Sequence, residues 1–150
     1  MPFKAHFVWS AVAALAVLAP ATLPAQEATG AASTFNLELN AAADTSAGSC
    51  RLTYVASNQS EIALERTAYE VAVFDSDGVV NRLLVLEFGE LVEGKTKILQ
   101  FDLAETPCAS ISRIVVNDVA ACTQSADGAT SDFCMSGLSA SSRTAIQFGI

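Results

Sequence analysis

Four cysteines constrain the fold of this chain more than any other feature of its sequence. They are Cys50, Cys108, Cys122 and Cys134, and successive cysteines lie 58, 14 and 12 positions apart. These spacings match neither the closely spaced pairs of a zinc knuckle nor the CxxC motif of a thioredoxin-like protein. An even number of cysteines in a small exported domain instead predicts two disulfides.

The first 25 residues have the layout of a secretory signal peptide. Lys4 precedes an apolar run over residues 7–18, and two prolines among small residues follow it. The run is 12 residues long, whereas about 20 residues are needed to cross a bilayer as a helix. We expect cleavage after Ala25, or alternatively after Ala21. An N-terminal anchor that is not cleaved is the competing interpretation.

Signal cleavage predicts a periplasmic or secreted protein with a single domain. Residues 26–33 are small and polar, which predicts a flexible lead-in, and residues 34–150 are enough for one disulfide-stabilised domain. We expect no membrane-spanning segment after cleavage, because no second apolar run approaches the required length.

Strand geometry favours one of the three pairings that four cysteines allow. A Cys108–Cys122 bridge is disfavoured by the apolar run between these two residues. As a strand, that run would hold its ends about 25–30 Å apart, whereas bridged Cα atoms lie within about 7 Å. We expect Cys122 to pair with Cys134 across a local loop, and Cys50 to pair with Cys108 between distant strands.

The predicted mature chain lacks histidine, a residue that many catalytic and metal sites need. The single histidine, His6, lies in the predicted signal peptide. Its removal excludes a Ser-His-Asp or Cys-His catalytic unit and a histidine-ligated metal from the mature domain. Removal of residues 1–25 leaves seven Lys/Arg against sixteen Asp/Glu, a formal net charge of −9. We expect so acidic a chain to bind neither nucleic acid nor an anionic membrane surface.

Alternation of apolar and polar residues predicts seven short strands separated by turns. The predicted strands cover residues 35–40, 50–56, 67–75, 79–88, 96–103, 111–119 and 142–150. A loop is expected over residues 41–49, and residues 61–66 are either a helical turn or an extended crossing. The pattern favours an all-β fold, an antiparallel β-sandwich of immunoglobulin-like type. A small Greek-key β-barrel is the alternative.

Residues 89–96 (GELVEGKT) match the phosphate-binding loop pattern G-x-x-x-x-G-K-[ST] in full. That loop needs a following helix to hold the phosphate, but the residues that follow are predicted as a strand. Glu90 and Glu93 would also repel a phosphate. We therefore interpret the segment as a hairpin turn and expect no nucleotide or other cofactor.

Asp75 and Asp77 lie in a turn with the sequence DSDG, which is similar to the start of a calcium-binding loop. An EF-hand needs Gly at its sixth position and Glu at its twelfth, where this chain has Val80 and Leu86. A looser calcium site at Asp75 and Asp77 remains as a hypothesis beside an Asx-stabilised hairpin turn. Residues 58–60 (NQS) fit the N-glycosylation pattern, and we interpret them as an ordinary turn.

Residues 69–80 (YEVAVFDSDGVV) resemble the FxLYD-type immunoglobulin-like domains of bacterial envelope proteins. The shared pattern is an apolar strand that ends in a Phe-Asp pair, a glycine turn and a valine-rich return strand. The resemblance covers residues 48–103, and the whole chain also resembles small exported proteins of alphaproteobacteria. The resemblance to the FxLYD-type domains implies a sandwich with an interaction role and supplies no catalytic residue. The expected disulfides and the cysteine-bounded C-terminal loop depart from the family pattern.

We expect a non-catalytic binding or accessory module for an envelope protein or complex. The chain has no G-x-S-x-G motif, and a serine hydrolase without histidine would need Lys95 or Lys97 as its base. The predicted contact surfaces are the loops over residues 41–49 and 123–133, or a free sheet edge. One alternative is a small-ligand or calcium-binding domain, and another is a hydrolase that acts through carboxylates.

Overall fold

The structure, a computed structural model, describes residues 34–150 together with Met1. The rest of the predicted signal peptide and the lead-in over residues 26–33 lie outside the described residues. The described strands are β1 (Phe35–Asp44), β2 (Cys50–Asn58), β3 (Leu64–Asp75), β4 (Val80–Leu91), β5 (Thr96–Leu103), β6 (Ile111–Gln124), β7 (Leu138–Ser142) and β8 (Gln147–Gly149). A 3₁₀ turn covers Cys108–Ser110 and a short helix, α1, covers Phe133–Ser136. In this part of the chain no helix is long and apolar enough to cross a membrane.

The strands form two open four-stranded sheets, an arrangement consistent with a β-sandwich. Sheet A has the order β5-β2-β1-β7, and sheet B has the order β4-β3-β6-β8. Neighbouring strands are antiparallel except for the pairs β1–β7 and β6–β8, which are parallel. The predicted all-β sandwich is therefore confirmed. The barrel alternative is wrong because the sheets are not closed.

Period-two alternation directs one face of each sheet into a shared core. Over the first half of β1, buried residues alternate with partly exposed ones, as expected for a strand with one face packed. The centre of the core is an aromatic cluster. The ring of Tyr54 packs edge-on against the rings of Phe88, Phe101 and Phe148, with centroids 5.7, 6.0 and 5.2 Å away. The cluster joins both sheets, because Tyr54 and Phe101 belong to sheet A and the other two residues to sheet B.

Both disulfides have the pairing that strand geometry favoured. Cys50 at the start of β2 is bonded to Cys108 of the 3₁₀ turn, with Cα atoms 4.7 Å apart. Cys122 of β6 is bonded to Cys134 of α1, with Cα atoms 6.0 Å apart. The first bridge is reinforced by the amide of Cys108, which donates a 2.7 Å hydrogen bond to Asp44 Oδ1. Each bridge therefore ties a short helical segment to a strand.

Five strands run further than the sequence pattern predicted, because pairing with a neighbour extends them, and β1 and β6 gain most. β1 continues to Asp44, which pairs with Cys50 of β2, so the predicted loop over residues 41–49 is only partly a loop. β6 continues to Gln124 because it pairs with β3 over its whole length. The first residues of the predicted loop over 123–133 therefore belong to a strand.

The chain changes sheet at two places where a hairpin or a single strand was predicted. The turn within residues 89–96 connects β4 of sheet B to β5 of sheet A, so the predicted hairpin is wrong and the segment is an arch between the sheets. The predicted strand over residues 142–150 shares only Ser142 with β7 and contains β8, and these two strands lie in different sheets. The second crossing is stabilised by Ser142, whose hydroxyl donates a 2.7 Å hydrogen bond to the carbonyl of Ile146.

Two buried tyrosines differ in whether their hydroxyl groups have a hydrogen-bond partner. Tyr69 Oη donates a 2.6 Å hydrogen bond to the carbonyl of Cys134, whereas Tyr54 Oη has no partner among the described residues. Burial raises the pKa of both hydroxyls above the usual range of tyrosine. Each hydroxyl is therefore neutral at any ordinary pH, and hydrogen bonding alone distinguishes the two.

We expect Tyr54→Phe and Tyr69→Phe to change stability in opposite directions. Removal of the unpaired Tyr54 hydroxyl should raise the free energy of unfolding by up to about 1 kcal/mol, and loss of the Tyr69 hydrogen bond should lower it by about 1.5 kcal/mol. Urea unfolding of both variants beside the unmodified protein measures the two changes. A clear loss of stability in Tyr54→Phe would contradict an unpaired hydroxyl.

Candidate binding cleft

A cleft of about 390 Å³ opens at the end of the sandwich where β2, β4 and β6 end and β3 and β5 begin. This volume lies in the lower part of the range of small-molecule sites, about 300–1,000 Å³. Three segments line the cleft: the β2–β3 connection, the β4–β5 turn and the chain at the end of β6. The lining residues are Glu61, Ile62, Ala63, Glu93, Gln124, Ser125 and Ala126.

Asn58, the last residue of β2, holds two of these three segments together. Its side chain is fully buried, and Nδ2 donates hydrogen bonds to the carbonyls of Ile62, at 2.7 Å, and Leu91, at 3.0 Å. The first carbonyl belongs to the β2–β3 connection and the second to the end of β4. Asn58 Oδ1 in turn accepts hydrogen bonds from the amide and the hydroxyl of Ser60. One amide side chain therefore fixes the position of one wall relative to the other.

The third segment is attached to the first by a backbone hydrogen bond. The amide of Ser125 donates to the carbonyl of Ala63 at 2.9 Å. The loop that follows folds back on β6, because the amide of Gln124 donates to the carbonyl of Ala129 and Thr123 forms an isolated bridge with Thr130. The backbone on all three sides of the cleft is thus held by hydrogen bonds.

The charged groups of the cleft are carboxylates. Glu61 and Glu93 are exposed and come from different walls, and no lysine or arginine is among the lining residues. The arrangement favours a cationic group or a hydrogen-bond donor over an anion. Among the described residues, no three His, Cys, Asp or Glu side chains are grouped closely enough to hold a metal ion.

The predicted calcium residues lie at the opposite end of the sandwich, in the β3–β4 turn. Asp75 Oδ1 accepts hydrogen bonds from the amides of Asp77, at 3.0 Å, and Val79, at 2.9 Å. Gly78 has a φ of 79°, which glycine adopts without strain. These contacts form the Asx-stabilised turn that was the other interpretation of the segment. Calcium binding by Asp75 and Asp77 stays a prediction.

The segment that matches a phosphate-binding loop is a strand, a turn and a second strand. Gly89 lies within β4 at a bulge opposite Thr67, with a φ of 67°. Beside the bulge, Lys97 Nζ donates hydrogen bonds to the carbonyls of Phe88, at 2.9 Å, and Glu90, at 3.2 Å. The lysine thus links the edge strands of the two sheets, and no helix follows the turn.

Sequence reasoning did not identify the cleft, although one signal for it was present. Asn58 follows the same alternation as the inward residues Leu52, Tyr54 and Ala56 of β2. An asparagine at an inward position must find hydrogen-bond partners in the interior. Its interpretation as part of an ordinary turn missed this role. Gln124 and Ser125 belong to the predicted contact loop over residues 123–133, which does line the cleft.

The sequence matches no protein-family model and no curated protein. Among solved structures, IrmA from Escherichia coli is similar to this chain, with a TM-score of 0.55 and 9% sequence identity. The similarity covers 72% of this chain and 91% of IrmA. At this level of identity the similarity concerns the fold alone. The chain and IrmA therefore share a β-sandwich architecture.

Proposed function

We propose that this chain is an exported, non-catalytic binding module that docks onto an envelope protein or complex through the cleft end of the sandwich. The two disulfides are compatible with an extracytoplasmic compartment. The signal-like N-terminal sequence supports the same location.

The observation that carries the proposal is the hydrogen-bonded framework of the cleft. Asn58 connects two of its walls through the carbonyls of Ile62 and Leu91, and the amide of Ser125 connects the third wall to Ala63. Binding sites on loops are effective when a rigid scaffold positions those loops, because less conformational freedom is lost on binding.

The charge of the cleft indicates what the partner presents to it. Glu61 and Glu93 would face a lysine, an arginine or another hydrogen-bond donor of the partner. Because both carboxylates are exposed, each ion pair would contribute at most about 1 kcal/mol and would weaken as salt is raised. Most of the affinity would then come from the apolar and backbone surface around the carboxylates.

A crosslinked pull-down with charge variants tests the proposal. The exported protein is recovered from its native envelope, and crosslinked partners are identified by mass spectrometry. We expect one stoichiometric partner, and we expect Glu61→Gln combined with Glu93→Gln to reduce its recovery about fivefold, because two exposed ion pairs are lost.

The matched control removes two carboxylates at the other end of the sandwich, by Asp77→Asn combined with Glu105→Gln. It has the same net charge as the cleft variant and should recover the partner normally. Equal recovery with both double variants would show that the partner binds elsewhere. Failure to enrich any partner would contradict the proposal.

A small cationic ligand is the second candidate, and the volume of the cleft favours it. In that case binding of a diamine such as putrescine should raise the melting temperature of the unmodified protein, because ligand that binds only the folded state stabilises it. The Glu61→Gln and Glu93→Gln double variant should lose this increase.

A further inference from the structure

The two outer faces of the sandwich differ in character. On sheet A the outward polar side chains of β2 and β5 form an ion pair and a hydrogen bond with one another across the two strands. Arg51 and Asp102 form an ion pair at 2.7 Å, and Gln100 Nε2 donates a 3.1 Å hydrogen bond to Thr53 Oγ1. Ile98 of β5 is the exposed large apolar residue on this face. On sheet B two successive outward residues of the edge strand, Leu83 and Val85, are exposed and apolar.

The apolar surface of sheet B centres on β4. Leu83 and Val85 are 57% and 52% exposed, and they alternate with inward residues of the same strand. Leu83 pairs with Ala72 of β3. Phe74, two residues further along β3 on the same face, is partly exposed. The guanidinium carbon of Arg113 lies 3.9 Å from the centre of the Phe74 ring, so the exposed apolar surface of this face is that of Leu83 and Val85.

β4 is also an edge strand, and half of that edge is open. Within the described residues it pairs with β3 on one side only. Near the C-terminal end of β4, Lys97 Nζ donates hydrogen bonds to the carbonyls of Phe88 and Glu90. That part of the edge is therefore covered. In the part of the chain that the structure describes, nothing of this kind covers residues 80–86. These residues contain neither proline nor lysine, two of the usual means of blocking edge-to-edge pairing. The open part of the edge coincides with the exposed Leu83 and Val85.

We infer that a second copy of this chain occupies the edge, with the two β4 strands antiparallel and Leu84 at the twofold axis. Directly opposite residues of an antiparallel pair lie on the same face. In this register Leu83 faces Val85 of the second copy, and Asn81 faces Glu87 of the second copy. A shift of two residues toward the C-terminus would set Leu83 opposite Glu87 and remove the apolar match.

Charge along the strand does not oppose this register. Arg82 Nη2 donates a 2.9 Å hydrogen bond to Thr106 Oγ1, and Glu87 forms an ion pair with Arg66 of β3. In the proposed register Arg82 lies opposite Leu86 and Glu87 opposite Asn81 of the second copy, so no like charges stand directly opposite, an arrangement that would be destabilising. The edge is therefore compatible with a second copy of itself. Two B sheets joined in this way form one continuous eight-stranded sheet.

Sedimentation equilibrium of the exported protein, with its disulfides intact, tests the inference. We expect a dimer that dissociates on dilution. Leu83→Lys alone and Val85→Glu alone should each weaken association roughly tenfold or more, because the symmetric interface counts each unfavourable cross-strand pair twice. The double variant Leu83→Lys/Val85→Glu should recover association, because only this register sets Lys and Glu opposite each other.

Ile98→Lys is the control, because Ile98 is 68% exposed on the outer face of the other sheet. This variant should associate as the unmodified protein does, and thermal melting of each variant confirms that it is folded. A monomer at every concentration would overturn the inference. A double variant that associates no better than the single variants would also overturn it, since the register would then be different.

Discussion

Replacement of Cys50 and Cys108 by alanine is expected to lower the free energy of unfolding by about 4 kcal/mol. The bridge joins residues 58 positions apart, and its loss gives the unfolded chain more conformational freedom than loss of a short-range bridge. Replacement of Cys122 and Cys134, which are 12 positions apart, should cost about 3 kcal/mol by the same loop-entropy relation. A domain of this size has only about 5–15 kcal/mol in total, so loss of both bridges, about 7 kcal/mol together, would remove a large share of the stability of the domain.

Urea unfolding of the two double variants measures both losses. Ser139→Ala on the exposed side of β7 is a control for polar-to-alanine substitution and should leave stability within about 0.5 kcal/mol. The ranking is the sensitive part of this prediction. If loss of the Cys122–Cys134 bridge were the more costly change, local packing around α1, and not chain entropy, would dominate. A loss below about 1 kcal/mol for Cys50–Cys108 would contradict a structural role for that bridge.

The strands were predictable from the sequence because their cause is local. In β2 every second residue is buried, and an alternating pattern of this kind is readable without any knowledge of the partner strand. The turn at Asp75 was predictable for the same reason, since Asp and Gly at those positions favour a turn by themselves. The disulfide pairing followed from the extended length of β6 between Cys108 and Cys122.

The sheet order and the strand ends were not predictable, because their cause is distant in sequence. β1 continues to Asp44 only because Cys50 pairs with it. The turn after Leu91 was assigned to a hairpin because turn residues between two strands carry no information about which sheet each strand joins. The parallel pair β1–β7 joins residues about a hundred positions apart, and no local pattern records it.

The cleft was hidden for a further reason: its walls come from three separate segments. Glu61, Glu93 and Ser125 become neighbours only when β2, β4 and β6 all end at the same end of the sandwich. Each residue alone looks like an ordinary polar residue in a connection. Only Asn58, at an inward position of β2, had a sequence context that required a specific explanation.

Asn58→Ala is expected to lower the free energy of unfolding by about 3 kcal/mol, because it removes the donor to the buried Leu91 carbonyl and the closer of two donors to the Ile62 carbonyl, and it opens a small cavity. The carbonyls belong to Ile62 and Leu91, on two walls of the cleft, so the substitution should also reduce partner recovery in the pull-down. Gln59→Ala, at the adjacent exposed position, is the matched control and should change stability by less than about 0.5 kcal/mol. Urea unfolding measures both variants.

Asn58→Asp removes the hydrogen-bond donor and leaves the size of the side chain almost unchanged. The introduced carboxylate would point at two carbonyls in a buried site, so its folded-state pKa should rise above the unfolded-state value of about 3.9. Below the unfolded-state value the carboxyl group is protonated in both states, and the loss of stability is smallest. The loss should grow as pH rises from the unfolded-state pKa to the folded-state pKa, and it should level off above the latter. A loss of stability that did not change between about pH 4 and pH 7 would show that Asn58 acts through packing and not as a donor to the cleft walls.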